Sequence, residues 1–357
     1  MRAIAVINQK GGCGKTTTAI NLSACLAHQG KKILAIDMDP QGNLTAGFNI
    51  DRNRLDGSLY DVLITKNPIS LKSILRTAEE NLDVAPCNMF LSALEQELSG
   101  KGGREERLKT ALAPIKNNYD YIIIDSSPYL GLLSFNVLLA ATEAIIPVDP
   151  NFNSLHGMGK LFEILKLLKD KKEHQLEYKV LCTMYDSRTK ISQAILSEIK
   201  SRFTTHHFKT VIRNTIKIKE AAGLGVPITD FRGTRGYNDY VNLANEILTG
   251  ETTQDDFNEI PPLENFLAPR RIGSGVLFSV YEPNAKQVYV AGDFNNWSAS
   301  EAFMYDSDGN GLWQRMIPLR NGKHRYKYVV DGEYIIDPNN PHTESDEIGT
   351  PYSLVEL

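Results

Sequence analysis

The stretch Lys10-Gly-Gly-Cys-Gly-Lys-Thr-Thr17 constrains this chain more than any other. It follows the apolar run Ala3-Ile-Ala-Val-Ile7 and precedes a helix-like stretch from Thr18 to Gln29. A strand that runs into a glycine-rich turn and then a helix gathers backbone N–H groups around an anion, at the positive end of the helix dipole. Gly11, Gly12 and Gly14 allow the tight curl, Lys15 brings a cation to the β- and γ-phosphates, and the Thr16 hydroxyl is placed for Mg²⁺. Thr17 completes the set. The spacing predicts a nucleotide-phosphate cradle. It departs from Gly-x-x-x-x-Gly-Lys-Thr at one point: Gln9 stands where the first glycine belongs, and Lys10 follows it.

Two later strands end in carboxylates. Lys32-Ile-Leu-Ala-Ile-Asp37 reads as a buried parallel strand and leads into Asp37-Met-Asp39-Pro-Gln-Gly-Asn43, while Tyr119-Asp-Tyr-Ile-Ile-Ile-Asp125 reads as another. Polar residues at the carboxyl ends of strands in an open α/β sheet face the ligand crevice. Of Asp37 and Asp39, one can organise Mg²⁺ and its waters and the other can orient or activate an attacking water; Asp125 would reach the ion through water. Ala144-Ile-Ile-Pro-Val-Asp149 and Lys179 to Tyr185 supply further strands. Asp149 can either touch nucleotide or cap a turn, and the residues leave both readings open.

With Lys10 ahead of Lys15, and with Asp39, Asp125 and the exit Tyr185-Asp-Ser-Arg-Thr189, the first 250 or so residues resemble the ParA/Soj/MinD group of ATPases with a deviant Walker A loop. The resemblance implies a P-loop fold and slow, partner-stimulated ATP hydrolysis with Mg²⁺. It also implies an ATP-dependent sandwich homodimer in which Lys10 crosses to the phosphates of the other subunit. It assigns the hydrolytic water to Asp39 and the metal region to Asp37. One departure is mild: Ser127 stands where the group commonly has a proline. A metabolic or electron-transfer ATPase of the metal-cluster kind would need a bridging cysteine pair, which Cys13 and Cys25 do not supply.

A net charge of -4 argues against a wholly basic nucleic-acid binder, yet the charges are segregated. Between Asp186 and Glu220, eight basic residues face three acidic ones. A solvated surface helix from Ser192 to Phe203 is one reading, and a phosphate-contacting DNA face is the other. Lys200 and Lys217 match positions where partition ATPases carry DNA-binding arginines. Arg213 takes the place of the usual proline, and Lys219 adds charge. The resemblance therefore implies non-specific DNA binding, a nucleoid-associated cytoplasmic location, and a stimulating or cargo-adaptor protein. No apolar stretch is long enough to cross a membrane, Met1 leads directly into the first strand without a signal peptide, and four scattered cysteines fit reduced thiols.

The composition changes after the ATPase-like part. The expected division is 1–250 for the ATPase, 251–267 for a linker rich in Thr, Asp, Glu and Pro, and 268–357 for a small β-sandwich of immunoglobulin-like type. The segments Val290 to Trp297, Asn321 to Tyr334 and Asp337 to Pro341 resemble the glycogen-binding module of AMP-activated kinase β subunits. That resemblance implies an α-glucan ligand, with Trp297 and Tyr334 as ring platforms, Lys327 on the sugar rim, and Ile348 and Thr350 in a closing loop. Tyr352 falls where the module uses an asparagine. Trp313, inside a strand, reads as core. Asp331, Glu333 and Asp337 share one turn-rich strand edge and make no catalytic pair, so binding rather than sugar hydrolysis follows. The rival reading gives the sandwich a protein partner and no sugar.

Overall fold

The computed structural model describes residues 1–64, 68–151, 158–250, 268–272, 275–306, 311–346 and 349–357. The chain divides into two compact units, Met1–Glu259 and Ile260–Leu357.

Seven strands build the first unit: β1 (Arg2–Val6), β2 (Ile33–Met38), β3 (Arg76–Glu79), β4 (Leu82–Ala85), β5 (Tyr121–Ser126), β6 (Glu143–Val148) and β7 (Glu177–Cys182). Their order is β3-β4-β2-β5-β1-β6-β7, parallel throughout except at the β3 edge. Continuous apolar runs such as Ile122-Ile-Ile124 suit a sheet covered on both faces. On one face, Ile4, Val6, Ile33, Ala35 and Ile123 pack with Leu22 and Leu26 of the helix Lys15–His28 and with Leu243 and Ile247 of the helix Arg235–Thr249. The alternate residues Leu34, Ile36, Ile122 and Ile124 are equally buried and point to the other face. Each such side chain contributes about 1.5–3 kcal/mol on burial. The segment 206–214 runs on beside β7, with Phe208 N–H donating to Val180 O at 2.9 Å and Ile212 N–H to Cys182 O at 2.8 Å.

The second unit holds β8 (Arg270–Ile272), β9 (Gly275–Tyr281), β10 (Val288–Gly292), β11 (Leu312–Ile317), β12 (Lys323–Val330), β13 (Glu333–Ile335), β14 (Thr343–Ser345) and β15 (Pro351–Glu356). They form two antiparallel sheets, β11-β9-β8 and β10-β12-β15-β14, with β13 paired to β12. Val276, Phe278 and Val280 from one sheet meet Val288, Val290, Tyr326 and Tyr328 from the other in a single core, the arrangement of a β-sandwich. Trp313 is core as its strand position predicted, its indole N–H donating to Glu282 O at 3.0 Å.

Asp337 is not on an exposed edge with Asp331 and Glu333. It is buried, accepting from the Tyr326 hydroxyl at 2.6 Å and the Tyr328 hydroxyl at 3.2 Å, while its backbone N–H donates to Ser353 Oγ at 2.7 Å. Asn340 donates to the Tyr326 oxygen at 2.9 Å. Burial raises the Asp337 carboxyl above its ordinary range, and the two tyrosine donors oppose that rise. Turn-like spacing around Pro338 conceals this network, because the tyrosines that complete it come from a different strand. Tyr326→Phe leaves Asp337 and Asn340 each short of a partner, so the module's thermal unfolding transition in the full chain should lose about 1–3 kcal/mol; an unchanged transition would show that the network adds nothing.

Candidate functional site

The glycine-rich loop leaves β1 and enters the helix Lys15–His28. Gly12 and Gly14 have φ of +72° and +90°, a left-handed backbone that glycine adopts without the Cβ clash other residues meet. Two side chains pin the loop to neighbouring strands. Asn8 Nδ2 donates to Pro147 O at 2.7 Å in β6 and its Oδ1 accepts from Lys10 N–H at 3.1 Å, while the Thr183 hydroxyl, just past β7, donates to Cys13 O at 2.7 Å. The Lys15 ammonium lies buried along the loop and donates to Lys10 O at 2.9 Å. Lys10 turns elsewhere. Its ammonium meets Asp149 Oδ2 at 3.1 Å and Asn151 Oδ1 at 2.6 Å, so Asp149 serves as a counter-charge to Lys10.

Register places the acids. Asp37 of β2 lies opposite Asp125 of β5, and Asp125 lies opposite Val6, the last residue of β1 before the loop. Asp37 and Asp125 are fully buried and Asp39 nearly so. Asp37 accepts from Thr45 N–H at 2.8 Å and the Thr45 hydroxyl at 2.6 Å. Asp39 Oδ1 accepts from Gln41 N–H at 3.0 Å, and its carbonyl accepts from the Cys87 thiol at 2.8 Å. Among the described residues, neither carboxylate oxygen of Asp125 has a hydrogen-bond partner. Burial, then the charge of Asp37, pushes the Asp125 carboxyl well up, against the opposing pull of the Thr16 hydroxyl and Lys15. Burial also raises Asp37, against its Thr45 hydrogen bonds.

A buried carboxyl with no hydrogen-bond partner among the described residues, beside a second carboxyl, has an acceptor set that suits a cation. With the Thr16 hydroxyl alongside, the donors are hard oxygens that suit Mg²⁺, which takes one or two carboxylates and completes its shell with water and phosphate. Among the described residues, no cluster of three or more His, Cys, Asp or Glu forms a metal cage. Lys15, Thr16, Asp37, Asp39 and Asp125 thus converge at one edge of the sheet. Asn8, Thr45 and Thr183 escaped the sequence reading; only Asn8, next to the strand end, carried a local signal.

The basic residues divide. Lys200 is exposed near the end of the helix Lys190–Arg202, and Lys217 and Lys219 are exposed on the helix Ile216–Leu224. Lys217 also meets Glu220 at 2.6 Å. Arg213 is held at 2.5 Å by the buried Asp239, an ion pair that joins the strip beside β7 to the helix Arg235–Thr249.

In the module, Trp297, Lys327, Tyr334 and Tyr352 come together on the outward side of the β10-β12-β15-β14 sheet. Trp297 and Tyr352 have ring centroids 4.9 Å apart, the Lys327 ammonium sits 4.8 Å from the Tyr352 centroid, and the Tyr334 hydroxyl donates to Trp297 O at 3.1 Å. Thr350 N–H donates to Asp346 Oδ1 at 2.8 Å, and the Tyr352 hydroxyl to Asp346 Oδ2 at 2.9 Å. Ile348 lies outside the described residues.

Comparison with known proteins agrees with both halves. Residues 1–178 match the family model described as an AAA domain, and residues 277–357 match the glycogen recognition site of AMP-activated protein kinase. The sporulation initiation inhibitor protein Soj of Bacillus subtilis is 41% identical over 248 residues, 69% of this chain and 98% of that protein. The chromosome partitioning protein ParA of Myxococcus xanthus is 37% identical over 255 residues, 70% of this chain and 89% of the relative. Among solved structures, cobyrinic acid a,c-diamide synthase from Mycobacterium smegmatis with bound ADP and magnesium aligns with a TM-score of 0.63 at 29% identity, over 73% of this chain and all of that one. McdA from Cyanothece in complex with ATP has a TM-score of 0.63 at 23% identity, over 71% and 99% of the two chains, a likeness of fold alone.

The acid pair also fixes a pH dependence. Because folding raises both carboxyls, nucleotide-free stability is fully present below the ordinary carboxylate range and is lost as pH rises through the raised values. Asp125→Asn should flatten that loss and stabilise the nucleotide-free chain by about 1–3 kcal/mol at neutral pH. It should also lower ATP turnover by about 100-fold or more, and paired melting curves and phosphate-release rates check both halves. With its lysine-bearing loop, its paired acids and a Soj relative matched over nearly its whole length, the chain belongs to the ParA/Soj family of partitioning ATPases, which hydrolyse ATP with Mg²⁺, and it carries a C-terminal module of the glycogen-recognition type.

Proposed function

We propose that this chain is an ATP-driven positioning switch that closes as a homodimer on ATP, holds DNA without reading its sequence, and is tethered to α-glucan by its C-terminal module. The convergence of Lys15, Thr16, Asp37, Asp39 and Asp125 at one sheet edge, with Lys10 set apart on Asp149, carries the reading. The glycine loop and Lys15 bind the phosphates, and Thr16 and Asp125, supported by Asp37, hold Mg²⁺. The ion, when bound, draws charge from the phosphate oxygens. Asp39 orients the hydrolytic water, and Lys10 reaches the phosphates of the other subunit. The assigned parts are 1–250 for the ATPase, 251–267 for the linker and 268–357 for the module.

Exposed Lys200, Lys217 and Lys219 support the DNA assignment, with Arg213 as the anchored member of the same region. Lysines contact phosphate as point charges without the arginine fork, so sequence readout is not expected. A stimulating or cargo-adaptor protein would set the pace of release. The switch would act at the nucleoid in the cytoplasm, as the resemblance to partition ATPases implies; no helix among the described residues is long and apolar enough to cross a membrane. The cluster of Trp297, Lys327 and Tyr334 supports the sugar assignment, since glucose rings present apolar C–H faces to aromatic rings and hydroxyls to their rim.

Three measurements test this. Lys10→Ala should lose ATP-dependent dimerisation in light scattering while ATP binding stays within a few-fold; dimerisation by the variant would remove Lys10 from that role. Lys200→Ala with Lys217→Ala should weaken ATP-dependent DNA retention and lower the slope of log affinity against log salt by about 2, and unchanged retention would defeat the DNA assignment. The full chain should co-sediment with glycogen and Trp297→Ala should not. No sedimentation by the unaltered chain would favour a protein partner for the sandwich.

A further inference from the structure

We propose that Cys87 is a positioning residue for ATP hydrolysis: from the end of β4 it holds the turn that carries Asp39, so that the Asp39 carboxylate is preset for the attacking water. The inference rests on the water-orienting reading of Asp39 given above and deepens it. Cys87 lies two residues beyond β4 and is fully buried. Its backbone is fixed on both sides. The Pro86 ring locks φ and the Pro86 carbonyl accepts from Leu59 N–H at 3.0 Å, while Asn88 Oδ1 accepts from Phe90 N–H at 3.2 Å.

Three groups of this one residue meet the segment Asp39 to Thr45. The thiol donates to Asp39 O at 2.8 Å, the same carbonyl that closes the turn by accepting from Gly42 N–H at 2.9 Å. The Cys87 N–H donates to Thr45 Oγ1 at 3.1 Å, and that hydroxyl donates in turn to Asp37 at 2.6 Å. The Cys87 carbonyl oxygen lies so near Gly42 that a Cβ there would meet it at 3.3 Å, and Gly42 has φ +63°, so glycine is needed on both counts. Asp39, Gly42 and Thr45 are thereby fixed at three-residue intervals to a different strand end. Within the turn, Asp39 Oδ1 accepts from Gln41 N–H at 3.0 Å, which leaves Oδ2 for a water molecule. A thiol is a weak donor by itself. Here it bears on the residue that orients the nucleophile, where a small displacement costs rate rather than nucleotide affinity. Burial, then the charge of Asp37, raises the Cys87 thiol far above its ordinary range, so it stays protonated and able to donate.

The test is single-turnover ATP hydrolysis by the full chain, with ATP affinity measured separately, for Cys87→Ala, Cys87→Ser, Asp39→Ala and the Cys87→Ala, Asp39→Ala pair. Cys25→Ala, which deletes a buried thiol from the helix Lys15–His28, is the control. Cys87→Ala should slow hydrolysis about three- to tenfold while ATP affinity stays within about twofold, a split that general loosening of the fold would not produce. Cys87→Ser restores a donor and should recover most of the rate, and Cys25→Ala should hydrolyse as the unaltered chain does. With Asp39 already replaced by alanine, Cys87→Ala should have no further effect. An unchanged rate in Cys87→Ala, a loss of ATP affinity as large as the loss of rate, an equal loss in Cys87→Ser, or an undiminished effect beside Asp39→Ala would each overturn the role of Cys87 while sparing that of Asp39. Full hydrolysis by Asp39→Ala would overturn the reading of Asp39 itself, and the role of Cys87 with it.

Discussion

The nucleotide-binding unit depends on an uncomfortable pair of carboxylates. Asp37 and Asp125 lie opposite each other at the ends of adjacent parallel strands, fully buried, and among the described residues Asp125 has no hydrogen-bond donor on either oxygen. In an apolar sheet this is costly, and the cation proposed to bind there with nucleotide would offset the cost. The surroundings follow from that need. Thr45 supplies two donors to Asp37, and the glycine loop ends beside Asp125 with the Thr16 hydroxyl and the Lys15 ammonium. Asn8 and Thr183 bind the loop to β6 and to the end of β7.

The two lysines of the loop have different environments. Lys15 is buried along the loop's own backbone, donating to Lys10 O. Lys10 projects from the same loop and meets a carboxylate from the end of β6. That ion pair holds the Lys10 ammonium away from Lys15.

The module solves a different problem. A sandwich of this size keeps polar tyrosines in its core by giving their hydroxyls Asp337, Asn340 and the Ser279 carbonyl. Those inward tyrosines alternate with outward Arg325 and Lys327 along β12, so the strand that locks the core also presents the outer surface. Trp297 and Tyr352 reach that surface from a turn and from β15.

Much of this was legible in the chain. Apolar runs ending in Asp37 and Asp125 marked buried parallel strands with acids at the ligand edge, and the glycine spacing marked the phosphate loop, because both patterns are local consequences of backbone geometry. The edge strand β3 was not legible: Arg76–Glu79 is short, partly exposed and without apolar alternation. Nor was the burial of Asp337, whose tyrosine donors sit on β12, or the counter-charge role of Asp149, whose partner lies 139 residues away. The sequence by itself determined the two folds, the cradle and the types of residue in each site. Only the tertiary structure decided which acid faces which lysine, that Arg213 is tied to Asp239, and that Tyr352 lies between Trp297 and Lys327. Those pairings depend on strand register and helix docking, which bring together residues that share no local pattern.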